Sequence, residues 1–422
     1  MRLSIVVLLA GAAAQTWVPV PLTNPAALCL DGSPGAYQVK PGAGANATKF
    51  VLFFQGGGWA MSPADIRFRA GTALGSTRGD VPNDMWASED LLTGDAARNP
   101  HFATWTSVGF RYCDGSSFSS HVDAPLVVES TPLFLRGHDI LAAALDQLLS
   151  PAPGGGAPSL AAATEVVVAG GSAGGLSVFL HLDYVAGRVR AANPRAAVAG
   201  VANDGFFIDG ASIWGGRHFL TEVFQRVVAM GNVTRPAQVN GACMQAHAPP
   251  LQWQCFMAEY TLPFLATRVF MFNSFEDQWQ AQEMLSPNMS TADAPGGVVQ
   301  WAPFVPCTHA PASGCNATQY AQWQGMSAQF LARARAAAAA APVAHGAFLT
   351  SCPTHGTCIK GRCQRITLKG GQHPMGALLA WYADAAARPG DHWLEDSPWP
   401  EAWAPAGVTP PNPTCDAPWA AP

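Results

Sequence analysis

Charge is scarce in this chain of 422 residues: Asp, Glu, Lys and Arg make up 12% of it, and 23 basic against 28 acidic side chains leave a net charge of −5. Without a basic excess the chain lacks the electrostatic footprint of a nucleic-acid binder. The same scarcity, set beside 49% hydrophobic residues, argues against a solvated disordered chain and leaves enough apolar material for a large core. No run approaches the roughly 18 uninterrupted apolar residues of a transmembrane helix. No segment repeats at a fixed period, which sets aside solenoids and arrays. No C-x-x-C pair occurs, and five and four residues intervene between Cys352, Cys358 and Cys363, so a structural zinc site has little to build on. No metal and no cofactor is called for.

What is present points to an oxidising, extracellular compartment. Arg2, the short apolar stretch from Leu3 to Ala10 and the small residues Ala12, Ala13 and Ala14 have the order of a secretory signal over residues 1–14. The mature chain then begins near Gln15, and residues 15–422 are expected to form one domain. Ten cysteines, at positions 29, 113, 243, 255, 307, 315, 352, 358, 363 and 415, form an even set that reads as five disulfides rather than reactive thiols. Asn46, Asn232, Asn288 and Asn316 each have Ser or Thr two positions on, the acceptor pattern for N-glycosylation.

Short β-rich runs alternate with helical patterns. Phe50 to Phe54, Thr106 to Tyr112, Glu165 to Ala169, Ala197 to Ala202, Arg268 to Asn273 and Ala347 to Thr350 read as buried strands. Ile140, Leu141, Ala144, Leu145, Leu148 and Leu149 recur at helical spacing and define one apolar face. A further helix begins near Tyr320, runs through the alanines 336–341 and stops at Pro342, since Ala favours helix and Pro ends it. Alternation of this kind predicts an α/β fold with a mostly parallel central sheet flanked by helices. The Pro/Gly-rich stretches 151–158 and 291–297 read as surface loops.

The most informative segment runs from Glu165 to Leu176, where a β-run feeds into Gly170-Gly171-Ser172-Ala173-Gly174 and then a helix-compatible sequence. This is a nucleophile-elbow pattern: a strand turning sharply into a helix holds a strained serine, and the glycines remove side chains that would clash. Ser172 is therefore the candidate nucleophile, beside a helix N-terminus that favours developing negative charge. A serine needs a base to take its proton and an acid to orient that base, expected downstream in the order Ser, acid, His. Asp277, just beyond the run ending at Asn273, is preferred as the acid. Asp204 is its rival, with a turn-capping role as the plain alternative, and Glu276 comes third. His355, following the last β-run, is preferred as the base over His373, which directly precedes a helical pattern. The flanking Cys352 and Cys358 can tether its loop and lower the entropic cost of holding the imidazole. Upstream, the Phe50 to Phe54 run enters Gln55-Gly56-Gly57-Gly58-Trp59, where this architecture supplies oxyanion donors. The amides of Gly58, Trp59 and Ala173 are the candidates, each such donor being worth about 3–4 kcal/mol.

At these residues the chain resembles the pectin acetylesterase family, which also contains the Notum-type carboxylesterases. The resemblance spans nearly the whole mature chain and rests on Cys29 to Pro34, Gln55 to Trp59, Arg111 to Phe118, Gly171 to Gly175, Asp204 to Phe207, Asp277 to Trp279, Ser351-Cys352 with His355, and Asn412 to Cys415. It implies an α/β-hydrolase-like, disulfide-stabilised fold, a Ser172–Asp277–His355 triad, and oxyanion donors at Gly58, Trp59 and Ala173. Two positions depart from the plant members, which carry cysteines after Gly-Gly-Gly-Trp and before the nucleophile; Ala60 and Gly171 stand there. Part of the disulfide scheme must therefore differ. Cys29 with Cys113, Cys243 with Cys255 and Cys307 with Cys315 are the pairs it favours, with Cys352, Cys358, Cys363 and Cys415 left open.

The function so implied is a secreted, cell-wall or extracellular serine carboxylesterase that removes O-acetyl groups from a pectin-like polysaccharide, acting as a monomer with no nucleic-acid partner and no membrane span. Two alternatives stand beside it: a Notum-like deacylase that takes a fatty acyl group from a protein, and an inactive carbohydrate-binding protein on the same scaffold. Fourteen tryptophans permit sugar stacking. The acidic balance offers no global attraction to polyanionic pectin.

Overall fold

The computed structural model describes residues 17–82, 85–211, 216–285, 317–368, 370–396, 412, 414 and 415. The expected signal segment and Cys307, Cys315, Asn288 and Asn316 lie outside the described residues.

A nine-stranded sheet organises the chain. Its strands are β1 (Val18–Pro21), β2 (Ala36–Lys40), β3 (Lys49–Phe54), β4 (Thr106–Phe110), β7 (Glu165–Gly171), β8 (Ala197–Asn203), β9 (Val269–Ser274), β10 (Gly346–Thr350) and β11 (Trp393–Glu395). They lie in the order β1-β2-β4-β3-β7-β8-β9-β10-β11. A separate hairpin pairs β5 (Leu126–Val128) with β6 (Thr131–Leu133). From β4 to β11 neighbours pair in parallel, as Leu52 with Val108 and Val168, and Asn203 with Phe272. The pairings of β1 with β2 and β2 with β4 are antiparallel.

The continuous apolar runs follow from burial of both sheet faces. Phe50, Leu52, Phe54, Val166 and Val168 join one core cluster, while Val51, Phe53, Val167, Ala169, Val201 and Phe272 join another on the opposite face. The alternation is the two-residue pleat of a strand. All six strands expected from sequence are present within one or two residues at most ends. β4 stops at Phe110 rather than Tyr112: the Tyr112 amide donates to the Gln55 side chain, Oε1 at 2.9 Å, instead of a strand carbonyl, and the Arg111 guanidinium pairs with Asp80, Nε to Oδ2 at 2.6 Å and Nη2 to Oδ1 at 2.9 Å.

The helix expected around residues 140–149 is α2 (Gly137–Leu149), with Ile140, Leu141, Ala144, Leu145 and Leu148 buried. α3 (Ala173–Ala192) follows β7 directly and packs on β7 and β8. The alanine-rich segment belongs to a helix over Ala317–Ala339.

Four disulfides join Cys29 to Cys113, Cys243 to Cys255, Cys352 to Cys415 and Cys358 to Cys363. The first two are pairs favoured from the resemblance, and the last two resolve the pairing left open there. Cys352 and Cys358 flank His355 but bind different partners, so the loop is anchored on each side by a separate bridge.

Candidate active site

Ser172 sits at the junction of β7 and α3 with φ 57° and ψ −123°, a conformation that costs a non-glycine residue about 1–3 kcal/mol. The turn is tight enough to require glycine around it. A Cβ on Gly170 would fall 2.2 Å from the Gly174 carbonyl oxygen, and one on Gly174 would fall 2.0 Å from that of Phe54. The Ser172 amide donates to the Asn203 carbonyl at 2.9 Å, tying the turn to the end of β8.

The loop after β10 brings His355 to this turn. Its Nε2 lies 2.7 Å from Ser172 Oγ and its Nδ1 2.9 Å from Asp277 Oδ2. Asp277 follows β9, and its other oxygen, Oδ1, accepts the Gln280 amide at 3.0 Å, which fixes the carboxylate at the start of α7 (Gln278–Leu285). Asp277 is 1% exposed and His355 22%, so the acid is sealed while the base opens on the cavity. Burial works against a charged imidazole, but the Asp277 charge and hydrogen bond, with Asp204 behind them, prevail and hold His355 above its ordinary value.

The rival residues have other partners. Asp204, at φ 47°, receives the amides of Gly356 (3.0 Å) and Thr357 on Oδ2, and on Oδ1 the Thr357 hydroxyl (3.0 Å) and the Ser274 amide (3.2 Å). It holds the backbone just after His355 rather than the ring. Burial and the neighbouring Asp277 charge push Asp204 up to about 6, while His355 and the amide donors pull the other way. Glu276 is buried, which raises its carboxyl well above the usual range. His373 caps a helix, its Nδ1 accepting the Gly376 amide at 3.1 Å.

The glycine loop after β3 is held by its carbonyls. Arg69 Nη1 donates to Gly57 O at 2.8 Å and Tyr112 Oη to Gly58 O at 2.7 Å. Ser117 Oγ donates to Ala173 O at 2.8 Å and accepts Trp59 Nε1 at 2.8 Å, linking the glycine loop to the nucleophile turn. The amides of Gly58, Trp59 and Ala173 donate to no other described residue. Sequence reasoning passed over Arg69, Tyr112 and Ser117. The last two fall inside the Arg111 to Phe118 motif, whose role as a brace depends on contacts with distant segments.

Ser172 and His355 open on a cavity of about 280 Å³ with polar walls from Gln55, Glu89, Asn203 and Asp204 and apolar walls from Phe53, Met85, Trp86 and Ile359. Beside His355 stands an aromatic cluster: Trp279 and Phe207 have ring centroids 6.1 and 6.3 Å from the imidazole. Trp59 packs edge-on against Phe207, Phe224 and Trp279 at 5.0, 4.8 and 5.5 Å.

A strand–serine–helix turn on a mostly parallel sheet, with a carboxylate and an imidazole in line on loops after later strands, defines an α/β-hydrolase-like protein. The chain belongs to the pectinacetylesterase family, whose model matches residues 12–402, and it is a carboxylic ester hydrolase. Pectin acetylesterase 7 of Arabidopsis thaliana is 31% identical over 354 residues, covering 84% of this chain and 82% of that one. Palmitoleoyl-protein carboxylesterase NOTUM of Homo sapiens is 27% identical over 271 residues, covering 61% of this chain and 50% of that one. In fold the chain is similar to the crystal structure of the Wnt deacylase Notum from Drosophila, with TM-score 0.71 at 20% identity over 92% of this chain and 98% of that one.

Proposed function

We propose that the protein is a secreted serine esterase that removes O-acetyl groups from a pectin-like extracellular polysaccharide through an acetyl-enzyme. The observation that carries this reading is the unbroken hydrogen-bonded line from Ser172 Oγ through both nitrogens of His355 to Asp277. His355 Nε2 takes the Ser172 proton as Oγ attacks the acetyl carbonyl carbon. The carbonyl oxygen gains the negative charge, and the unused amides of Gly58, Trp59 and Ala173 stabilise it. The imidazolium, stabilised by Asp277, returns the proton to the departing sugar oxygen. Water, deprotonated by the same nitrogen, then releases acetate and regenerates Ser172.

The aromatic cluster supports a short acyl group, because a long chain needs a continuous apolar cavity near the nucleophile and the space next to His355 is occupied by Trp279 and Phe207, packed against Trp59 and Phe224. The two disulfides anchoring the His355 loop support an oxidising compartment. Asn232 is an exposed candidate for glycosylation, its side-chain amide donating to His121 O at 3.3 Å, and the Asn46 amide donates to Thr104 Oγ1 at 2.8 Å. No helix among the described residues is long and apolar enough to cross a membrane.

Hydrolysis of p-nitrophenyl acetate, butyrate and palmitate by wild type and Ser172→Ala tests the proposal. It predicts preference for acetate and loss of turnover in the variant. Preference for palmitate would favour a long-chain deacylase, and absence of serine-dependent turnover a binding protein. Acetate release from acetylated pectin, xylan and a chitin-type polymer, measured together, identifies the polymer.

A further inference from the structure

One carboxyl in the Ser172 cavity is unused by this reaction. Asp204 has its oxygens filled by donors from Ser274, Gly356 and Thr357, but the Glu89 side chain forms no hydrogen bond with any described residue. Its position is nonetheless fixed. The Glu89 amide donates to Trp86 O at 2.9 Å, and Glu89 pairs as an isolated antiparallel bridge with Ile359, just past the His355 loop. Its Oε2 lies 3.9 Å from where a Cβ on Gly171 would stand, so it lies beside the residue preceding the nucleophile. Gly171 leaves that approach open.

A fixed carboxyl facing a reaction cavity without a partner takes one from the substrate, since a polar group desolvated on binding and left unpaired is costly. The acetyl methyl carries no hydrogen-bonding atom, and the acetyl carbonyl oxygen is assigned to the backbone amides. Only the alcohol half of the ester remains. We infer that Glu89 is a specificity-determining residue that hydrogen-bonds a free hydroxyl of the sugar bearing the acetyl group. This rests on the esterase reading above and deepens it.

The surroundings also set the form in which Glu89 acts. Burial comes first, then the charges of Asp90 on its own turn and Asp204 across the cavity; together they push Glu89 up to about 8, with Arg98 pulling the other way. Arg98 is engaged by Asp90, Nε to Oδ1 at 3.0 Å. His355 is the remaining titratable group of the cavity, and no Lys or Arg lines it among the described residues. At neutral pH Glu89 is therefore an uncharged acid, able to donate one hydrogen bond and accept another. Above its own titration it places a negative charge in the cavity where the oxyanion must develop, which slows turnover.

The test compares an O-acetyl methyl glycoside with a free neighbouring hydroxyl against p-nitrophenyl acetate, whose leaving group has no such hydroxyl. Wild type, Glu89→Gln and Glu89→Ala are assayed across neutral and alkaline pH. Loss of one such hydrogen bond is expected to lower the glycoside-to-nitrophenyl ratio of kcat/KM in Glu89→Ala by about tenfold or more. Gln, which keeps the shape and both hydrogen-bonding functions, restores the ratio to within about threefold of wild type and loses the alkaline decline. An unchanged ratio in Glu89→Ala, a Gln variant no better than Ala, or an alkaline decline that survives in Gln overturns the inference. If the Ala variant fails to fold, the Gln pH profile decides. Absence of Ser172-dependent nitrophenyl acetate hydrolysis overturns the esterase reading itself, whereas an unmoved ratio alongside that hydrolysis overturns only the role of Glu89.

Discussion

Asp277→Asn exchanges one carboxylate oxygen for an amide group, and the structure dictates which way that amide turns. Oδ1 accepts the Gln280 amide at 3.0 Å while Oδ2 faces His355 Nδ1 at 2.9 Å. In the variant the surviving oxygen stays with Gln280, because the reverse arrangement sets two N–H groups against each other. The NH2 then faces Nδ1, which can only accept, and the imidazole proton moves to Nε2. A protonated Nε2 cannot take the Ser172 proton. Loss of the correct tautomer in a Ser-His-Asp system costs about 10⁴ in kcat, or about 5.5 kcal/mol. The pH profile carries a second signature. Burial lowers the His355 pKa and Asp277 raises it, so removing the charge lets burial prevail. The acid limb of kcat/KM, set in wild type by an imidazole above its ordinary value, moves to lower pH. Steady-state hydrolysis of p-nitrophenyl acetate from acidic to alkaline pH, with circular dichroism to verify folding, measures both effects. A folded variant that keeps more than about a tenth of wild-type kcat, or whose acid limb stays in place, refutes the argument.

Three further outcomes follow from other parts of the molecule. Trp279→Ala removes a ring that borders both His355 and Trp59 and should raise the butyrate-to-acetate ratio of kcat/KM by about tenfold; an unmoved ratio in a folded variant contradicts the aromatic wall. Gly174→Ala drives a Cβ to 2.0 Å from Phe54 O and should cost about 3 kcal/mol or more by denaturant unfolding. Gly187→Ala, on the same helix with nothing within 4 Å, should instead stabilise by about 0.5–1 kcal/mol; equal effects at the two sites refute the packing account. Unfolding temperature should fall as pH rises from ~6.5 to ~8. His138, His181 and His345, depressed by burial to about 4, about 3 and about 4, differ in protonation between folded and unfolded chain only below this window. Within it Glu89 at about 8 and the still higher Glu276 make the folded chain hold more protons, so stability falls as pH rises. Calorimetry showing a rise from pH ~6.5 to ~8 contradicts this balance.

The central strands were legible because burial on both faces leaves uninterrupted apolar runs, as in Lys49–Phe54 and Glu165–Gly171. β2 was not, although every residue of Ala36–Lys40 is buried. Gln38 and Lys40 break its pattern, and only distant partners satisfy them: Trp86 Nε1 donates to Gln38 Oε1 at 3.0 Å, and Lys40 Nζ to Leu92 O at 2.6 Å. β1 and β11 are four and three residues long, too short to show a period.

The same contrast holds at the site. Ser172, Asp277 and His355 could be singled out because each follows a readable strand, and the glycines around Ser172 announce the turn. Asp204 was weighed as an acid for the imidazole, yet its carboxylate holds the backbone of Gly356 and Thr357. A strand-end position cannot distinguish those two tasks. Arg69, Tyr112 and Ser117 carry no local signal, since each acts on a carbonyl 12, 54 or 56 residues away in the chain.

The central claim is that Ser172 carries the acyl group. Acid-quenching the enzyme during p-nitrophenyl acetate turnover, followed by peptide mass mapping, measures this directly. The account predicts a gain of about 42 Da, one acetyl group, on the peptide containing Ser172 and its loss in Ser172→Ala. An adduct on another residue, or turnover that persists undiminished in the variant, contradicts it.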